Sequence, residues 1–168
     1  YADYNDKELI MSGLEKHGVA IAPYNMRIML EDMLNSAQYA IYMMFPVVTD
    51  DPRIINILRE KINNGLKIQI LCSPEMICLN RASGLNYTLI KNLLDFGIAV
   101  KEVYTPQLHC RCIITDPEDT SLKKLYIGSG NLKSHSFDLS REVGFVTDNI
   151  DFCLKMFDLF NKLWGIEQ

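Results

Sequence analysis

Residues 108–116 read Leu-His-Cys-Arg-Cys-Ile-Ile-Thr-Asp, a stretch that combines polar groups with the pattern of a strand. It ends in β-branched residues and lies between prolines at positions 106 and 117, which predicts a strand over 108–115. Side chains two apart on a strand share a face, so we expect His109 and Arg111 on one surface and the intervening cysteines packed on the other. The segment thus places an imidazole beside a guanidinium, and such a pair predicts a site for an anion.

Two downstream segments supply further polar groups at strand ends. Residues 124–128 predict a strand that breaks into Gly-Ser-Gly-Asn, a turn through which the backbone can approach a ligand closely. Ser129 and Asn131 are predicted to point donors at an anion, although the same sequence is also ordinary turn chemistry. Glu142 opens a strand over 142–147 and is a candidate to orient a nucleophilic histidine. Together these groups indicate phosphate-ester chemistry.

The rest of the chain alternates between strand and helix patterns. We expect strands near 18–22, 38–45, 67–72, 98–104, 108–115, 124–128 and 142–147, and helices near 6–16, 25–36, 52–63, 86–95 and 149–164. Pro52 after Asp51 is a typical helix start, and Asn25 is a candidate cap. This order predicts a single α/β domain over 1–168, with a mixed central sheet sandwiched by helices on both faces. Residues 1–17 are expected to form an N-terminal helical extension, and the absence of an initiator Met fits a domain excised from a longer chain.

The motifs resemble those of the phospholipase D superfamily, which read His-x-Lys-x4-Asp, then Gly-Ser-x-Asn, then a Glu. The matching positions in this sequence are His109, Arg111, Asp116, Ser129, Asn131 and Glu142, and Ser136 stands where the family has a further serine. The resemblance extends upstream to Gly18 and includes Asn-Gly-Leu-Lys-Ile-Gln-Ile-Leu at 64–71. The resemblance implies a catalytic group of His109, Arg111, Glu142 and Asp116, in which the Asp is mainly a structural support. The resemblance implies a phospholipase D-like fold and a site in which Arg111, Ser129 and Asn131 bind phosphate.

The mechanism implied by the resemblance needs two histidines. One attacks phosphorus to give a phosphohistidine, while a second protonates the leaving oxygen and then activates water, without metal or cofactor. This chain carries one copy of the motif, because neither His17 nor His135 has the flanking cation and carboxylate. The likeness is therefore to the small nucleases of the family, which build one site across a homodimer. Arginine replaces the family lysine at position 111; it keeps the charge but is bulkier and does not release a proton easily.

Charge leaves two classes of function open. Seventeen Lys and Arg against 21 Asp and Glu give a net charge of −4, which disfavours a polyanion unless cations gather locally. The candidates to surround the site are Arg81, Lys123, Lys124, Lys133 and Arg141, although a run such as Lys123-Lys124 is more often part of a solvated loop. His135 and Ser136 are further candidates for substrate contact. One class is a phosphodiesterase, foremost a nuclease; the other is a non-catalytic sensor or binding module for a phosphorylated or sugar ligand or for nucleic acid, such as the effector domain of a regulator.

The cysteines and the hydropathy pattern indicate the cellular location and redox environment to expect for the protein. His109 with Cys72, Cys78, Cys110 and Cys112 is a possible metal set, but neither cysteine pair has zinc-knuckle spacing, so we expect buried, reduced thiols. Five cysteines without a secreted disulfide pattern favour a cytoplasmic protein. No apolar run approaches the roughly 20 residues of a membrane span, and the polar start of the chain is unlike a signal peptide.

Overall fold

The computed structural model describes residues 15–74, 85–104 and 108–165, and within them one seven-stranded sheet forms the centre of the molecule. The strands are β1 (Val19–Ala22), β2 (Ala40–Phe45), β3 (Lys67–Cys72), β4 (Ala99–Glu102), β5 (Cys112–Thr115), β6 (Lys124–Gly128) and β7 (Glu142–Thr147). They lie in the order β1-β7-β6-β5-β2-β3-β4. The pairs β2–β3 and β3–β4 are parallel and the other four pairs are antiparallel. The expected mixed sheet is confirmed.

Helices cover both faces of this sheet, as the sequence predicts. The described helices are α1 (Met26–Ser36), α2 (Pro52–Asn63), α3 (Leu85–Asp95), α4 (Ser134–Asp138) and α5 (Ile150–Gly165). Apolar residues of α1, α2 and α3 form one core with Ile41, Ile113 and Tyr126. The second core lies on the opposite face, where Cys153 and Phe160 of α5 pack against alternate strand residues.

Local sequence explains why α2 begins where it does. Asp51 has an extended backbone, and its Oδ1 accepts hydrogen bonds from the N–H groups of Arg53 and Ile54. Pro52 occupies the first turn, where a missing N–H removes no helical hydrogen bond. The predicted boundaries 52–63 are therefore confirmed. Asn25 precedes α1, but its side chain bonds backward to Ile21 and Val19 of β1 rather than capping the helix.

The strand predicted over 108–115 is shorter in the structure. It begins at Cys112, whose partner on β2 is Met44. The pairing of β5 with β2 does not extend to the residues before Cys112. Phe45, the last residue of β2, is followed by Pro46, which has no N–H to donate to a further pair. His109 and Arg111 therefore precede β5, on the segment that leads into it.

Two other segments differ from the sequence-based assignment or lie beyond it. The predicted helix 6–16 falls almost wholly outside the described residues, which begin with a short 3₁₀ turn at Glu15–His17. Residues 134–138, for which the sequence predicts no helix, form the short helix α4. Among the described helices, none is long and apolar enough to cross a membrane.

Candidate active site

The motif histidine lies on a segment that is fixed just before β5. Ser73, which follows β3 and is fully buried, donates its hydroxyl to the carbonyl of Leu108 at 2.6 Å. The next residue, His109, is exposed. The carbonyl of Arg111 accepts a hydrogen bond from the N–H of Gly128 at 3.2 Å, which ties the motif to the end of β6. The imidazole is thus presented to solvent from an anchored backbone.

The faces of this segment follow the predicted alternation. Ile113 packs in the core beneath α1 and α2, whereas Cys112 and Ile114 pack in the core beneath α5. Cys110 also packs against the α5 core. The expected separation of the cysteine side from the opposite side of the strand is confirmed for these residues.

The guanidinium of Arg111 meets the predicted turn residue Asn131. Its Nε donates to Asn131 Oδ1 at 2.9 Å, so two segments 20 residues apart in sequence converge at one place. An arginine side chain carries four further N–H donors on its two terminal nitrogens, in a fork that matches the oxygens of a phosphate. The bond to Asn131 fixes the direction in which that fork points. The structure therefore brings together two of the three predicted phosphate ligands by direct contact.

Ser129 and Glu142 form a second polar pair where β6 and β7 approach each other. Ser129 Oγ donates to Glu142 Oε2 at 2.6 Å, and the N–H of Val143 donates to the same hydroxyl at 3.1 Å. The Ser129 N–H also donates to the Val143 carbonyl. The Glu142 carboxylate thus contacts the serine hydroxyl in this chain. Its expected role as the partner of the His109 imidazole remains a proposal.

Tyr126 supports the turn from below and was not singled out by the sequence. Its ring is fully buried, and it fills the space above Gly128 and Gly144, where any Cβ would collide with it. Burial raises the pKa of Tyr126 to about 12, with a further contribution from the nearby Glu142 carboxylate. The Arg111 charge and the Gly130 N–H lower this pKa, and the phenol donates to Met26 Sδ at 3.7 Å. The sequence does contain a signal for this role of Tyr126: it lies two residues before Gly128, so both residues share one face of the strand.

Asp116 lies away from this group and has a structural task. It follows the last residue of β5, about 20 Å along the backbone from His109 at ordinary strand rise. Its buried carboxylate accepts hydrogen bonds from the N–H groups of Gln38, Tyr39 and Ala40, at 2.8 to 2.9 Å. Its assignment to the catalytic group is therefore revised. Asp116 fixes the backbone that leads into β2.

The short helix α4 is held in place by a charged network. Arg27 binds both oxygens of Asp138 at 2.7 and 2.9 Å and Asp51 at 3.0 Å. The hydrogen bond from Arg27 lowers the pKa of Asp138. The hydroxyl of Ser134 donates to Asp51 at 3.0 Å, so the carboxylate that begins α2 also anchors α4. These bonds determine where the chain runs after Asn131.

Of the two further candidates on α4, the histidine is the accessible one. His135 is exposed, whereas Ser136 is 6% exposed. A substrate contact by Ser136 would require the helix to move, and a contact by His135 would not. The structure places both residues on the segment after Asn131 without bringing either into the Arg111–Asn131 pair.

The expected ring of cations is only partly present. Lys123 is buried and its Nζ donates to the Thr120 carbonyl, while Lys124 begins β6 at the end far from Gly128 and bonds Ser36. Lys133 lies 3.6 Å from Asp50, and Arg141 is exposed beside Glu142. Arg81 lies outside the described residues. Lys123 and Lys124 do not surround the site, because both lie at the opposite end of the strand. Lys123 is not a solvated loop residue either, because it is buried.

The alternative hypothesis of a metal site formed by His109 and the cysteines is not supported by the part of the chain that the structure describes. Over residues 15–74, 85–104 and 108–165, no three His, Cys, Asp or Glu side chains are grouped to hold an ion. Cys72, Cys112 and Cys153 are buried free thiols, and Cys110 is partly exposed. Cys78 lies outside the described residues.

Comparison with known proteins agrees with the motif and the fold. Residues 30–164 match the family described as "Cardiolipin synthase, PLD-like domain". The chain belongs to this family, within the phospholipase D superfamily. It is also 28% identical over 138 residues to cardiolipin synthase 1 of Staphylococcus epidermidis. That alignment covers 81% of this chain and 26% of the relative, so the chain spans about a quarter of that protein's length.

Solved structures show the same fold at low sequence identity. Nuc, a phospholipase D family member from Salmonella typhimurium, has a TM-score of 0.73 and 18% identity; the match covers 88% of this chain and 92% of Nuc. NucT from Helicobacter pylori has a TM-score of 0.70 and 19% identity, with 87% and 93% of the two chains covered. The seven-stranded mixed sheet with helices on both faces is therefore a phospholipase D-like fold.

Proposed function

We propose that this chain is a metal-independent phosphodiesterase, foremost a nuclease, that works as a homodimer through a phosphohistidine intermediate. Membership of the phospholipase D superfamily supports action on a phosphodiester. The observation that carries the proposal is the hydrogen bond between Arg111 Nε and Asn131 Oδ1, which preorganises an anion-binding fork beside the exposed His109. Donors that are already fixed before the reaction can stabilise charge without reorganisation.

Each side chain receives a defined role in this proposal. His109 of one protomer attacks phosphorus, and the same residue of the partner protomer gives a proton to the leaving oxygen and then accepts one from water. Arg111 and Asn131 hold the non-bridging oxygens, on which negative charge builds in the transition state. Glu142 and Ser129 together stabilise the turn, and Glu142 keeps the imidazole in the required tautomer.

Dimerisation is needed because a single chain supplies one motif histidine. The chain offers an apolar surface next to the site, which we call the open sheet face: Ile127, Val143 and Phe145 are 42%, 58% and 43% exposed. Register places Ile127 opposite Phe145 on neighbouring strands, and Val143 bonds Ser129. Its residues alternate with Gly144, so they lie on the face of the sheet that carries α5. That helix packs mainly on β2, β5 and β6.

The open sheet face is the proposed dimer contact, because it is apolar and ends at Ser129. Contiguous exposed apolar residues on a soluble domain are typical of a protein interface. A two-fold interface that includes the Ser129 end of this face would bring the strand ends of both protomers near one axis, and with them the pair of histidines that the reaction needs.

The dimer contact can be tested with two matched variants. Val143→Lys adds a charge to the open sheet face, whereas Ile28→Lys adds one to α1 at the same 58% exposure. We expect Val143→Lys to shift the protein to a monomer in sedimentation and to abolish turnover, and Ile28→Lys to change neither. A monomeric Val143→Lys variant with full turnover would contradict the shared site.

Catalysis is tested by turnover of a chromogenic phosphodiester in the presence of a chelator. His109→Asn should remove turnover by at least about a thousandfold, which is the scale of losing a nucleophile in such sites. His17→Asn is the matched control, because it changes another exposed histidine. Single-stranded DNA and phospholipid vesicles then distinguish a nuclease from a lipid-directed enzyme. Equal turnover by His109→Asn and wild type would contradict the proposal.

A second function, a non-catalytic binding module, is favoured by one specific observation. Arginine stands where the family motif has lysine, and its fork suits tight binding of phosphate more than proton exchange. This alternative predicts that vanadate or phosphate binds and that no ester is turned over. Binding would be lost in Arg111→Ala, and His109→Asn would retain it.

A further inference from the structure

The first turn of α1 contacts the chain on both sides of Asn131. Before it in sequence, Gly130 lies against Met26: a Cβ at that glycine would come within 3.0 Å of Met26 Sδ. After it, α4 begins three residues on and is bound by Arg27. Met26 is buried, and the Arg27 side chain is 19% exposed. Two neighbouring residues of one helix therefore flank the residue that binds the Arg111 guanidinium.

Arg27 joins two carboxylates that would otherwise repel each other. Its terminal nitrogens donate to both oxygens of Asp138 at 2.7 and 2.9 Å, and one of them also donates to Asp51 at 3.0 Å. Asp51 is buried at the start of α2, whereas the Asp138 side chain is 51% exposed. A half-exposed ion pair contributes little to folding stability, but a bidentate arginine pair holds its partner in a fixed geometry. The contact is therefore better suited to placing α4 than to stabilising the fold.

A short series of hydrogen bonds leads from Arg27 back to Asn131. Asp51 Oδ2, which accepts from Arg27, also accepts from the Ser134 hydroxyl at 3.0 Å. The N–H of Lys133, the residue before Ser134, donates to the Asn131 carbonyl at 2.8 Å. The position of Asn131 therefore depends on the carboxylates that Arg27 holds.

We propose that Arg27 is a positioning residue for the anion site, because it holds α4 and thereby fixes Asn131 and the Arg111 fork. Without this cation, the carboxylates of Asp51 and Asp138 repel each other, and α4 moves away from α1. Asn131 Oδ1 then no longer receives the Arg111 Nε–H in a fixed direction. A misplacement of about 1 Å that starts far from the chemistry can lower a rate about a hundredfold. The inference rests on the phosphate-binding role proposed above for Arg111 and Asn131.

The test compares Arg27→Met with a matched control on α2. Arg59 also lies over an aromatic ring, with its guanidinium carbon 4.7 Å from the Phe96 centroid, against 5.0 Å for Arg27 over Phe137. In Arg27→Met we expect the Arg111 Nε–H to exchange with solvent at least about tenfold faster in NMR spectra, because its hydrogen bond opens more often. Arg59→Met should leave that rate unchanged. The signal is assigned by its absence from Arg111→Lys.

Anion binding gives a second readout in the same proteins. Inorganic vanadate should bind Arg27→Met about tenfold more weakly than wild type, and Arg27→Lys, which keeps the charge without the bidentate fork, should lie between them. Asp138→Asn leaves the bond from Arg27 to the buried Asp51 and should change both readouts in the same direction by a smaller factor. A purely structural role for Arg27 would lower the urea midpoint and leave both readouts of the folded protein unchanged.

Three outcomes decide the proposal. An exchange rate or a vanadate affinity that matches wild type in folded Arg27→Met would overturn it. If Arg27→Met does not fold, the same comparison in Asp138→Asn decides. A wild-type protein that binds no vanadate would refute the anion site of the proposed function, and the exchange rate of the Arg111 Nε–H would then alone decide whether Arg27 positions Asn131.

Discussion

The strand β2 in the interior of the sheet and the strand β7 next to its edge strand β1 differ in how completely they are covered. All six residues of β2 are buried between helices on both faces. In β7, Gly144 is buried, and Val143 and Phe145 are exposed. The polar groups of the site also lie at the ends of antiparallel strands. The region around β2 is therefore a packed scaffold, while the region around β7 carries the candidate site and the surface proposed for a partner.

The largest effect on stability should follow from a cavity next to β2, in the packed scaffold. Ile41→Ala removes a fully buried side chain from the middle of the first core and should cost about 2–5 kcal/mol of unfolding free energy. Turnover per folded molecule should stay unchanged, because Ile41 is near the Asp116 end of the sheet. Urea denaturation and active-site-normalised kinetics measure the two quantities. Ile28→Ala, which truncates an exposed residue, should change stability by less than about 0.5 kcal/mol.

For the Arg111 guanidinium at the candidate site, we expect a large effect on turnover and a small effect on stability. Arg111→Ala removes a preorganised donor and should lower kcat/KM by a factor that corresponds to about 2.7–4 kcal/mol, with little effect on the urea midpoint. Arg111→Lys restores the residue of the family motif and should keep or raise turnover. If Lys at this position causes a large loss, the guanidinium bond to Asn131 has a role that lysine cannot fill.

A smaller effect, on both stability and turnover, is expected at Gly128, where the buried Tyr126 ring supports the turn of the candidate site. Gly128→Ala places a methyl group against the Tyr126 ring and the Gly144 backbone, which must shift. Overpacking of this kind costs about 1–3 kcal/mol, and it should lower both stability and turnover because the turn that begins at Gly128 carries Ser129 and Asn131. Gly65→Ala is a useful comparison, since a Cβ there meets open space and strain arises from its φ of 85° alone. Unaltered turnover in a destabilised Gly128→Ala variant would separate the turn from the site.

The smallest effect concerns the phenol beneath the turn. Tyr126→Phe keeps the ring over the glycines and removes the hydroxyl, which donates to Met26 Sδ at 3.7 Å and interacts with the Gly130 N–H. The loss of one such bond should cost about 0.5–1.5 kcal/mol in stability. We expect kcat to fall slightly more than stability predicts, because the freed turn orders the Arg111 fork less well. Paired denaturation and kinetic measurements would show whether the change is confined to stability.

The sequence predicts the fold well where local signals decide the structure. The boundaries of α2 follow from Asp51 and Pro52, and the strands 124–128 and 142–147 match the structure because turn residues delimit them. The sequence predicts the start of β5 incorrectly, because that start depends on the neighbouring strand β2, where Pro46 ends the pairing. The helix α4 was missed for the same kind of reason. Its five residues are held by Asp51 and Arg27, which lie more than 80 residues away in sequence.

The site was predictable as a set of residue types but not as a set of contacts. Ser129, Asn131 and Arg111 were identified from the motif, and the structure joins Arg111 to Asn131. The partner of Glu142 within the chain is Ser129, a pairing that depends on the register of β6 with β7. Lys123 was a candidate for the site because it is charged, yet its position before β6 buries it at the other end of the strand.

Subunit mixing tests the shared site most directly. Wild-type protein is mixed with an equal amount of His109→Asn, and turnover is followed while the protomers exchange. If each site needs two histidines, as proposed, turnover should fall to about half of its value before exchange, since a quarter rather than half of the dimers then hold two wild-type chains. Turnover that stays constant throughout exchange would show that each chain carries out the reaction alone, and it would contradict a site built from two protomers.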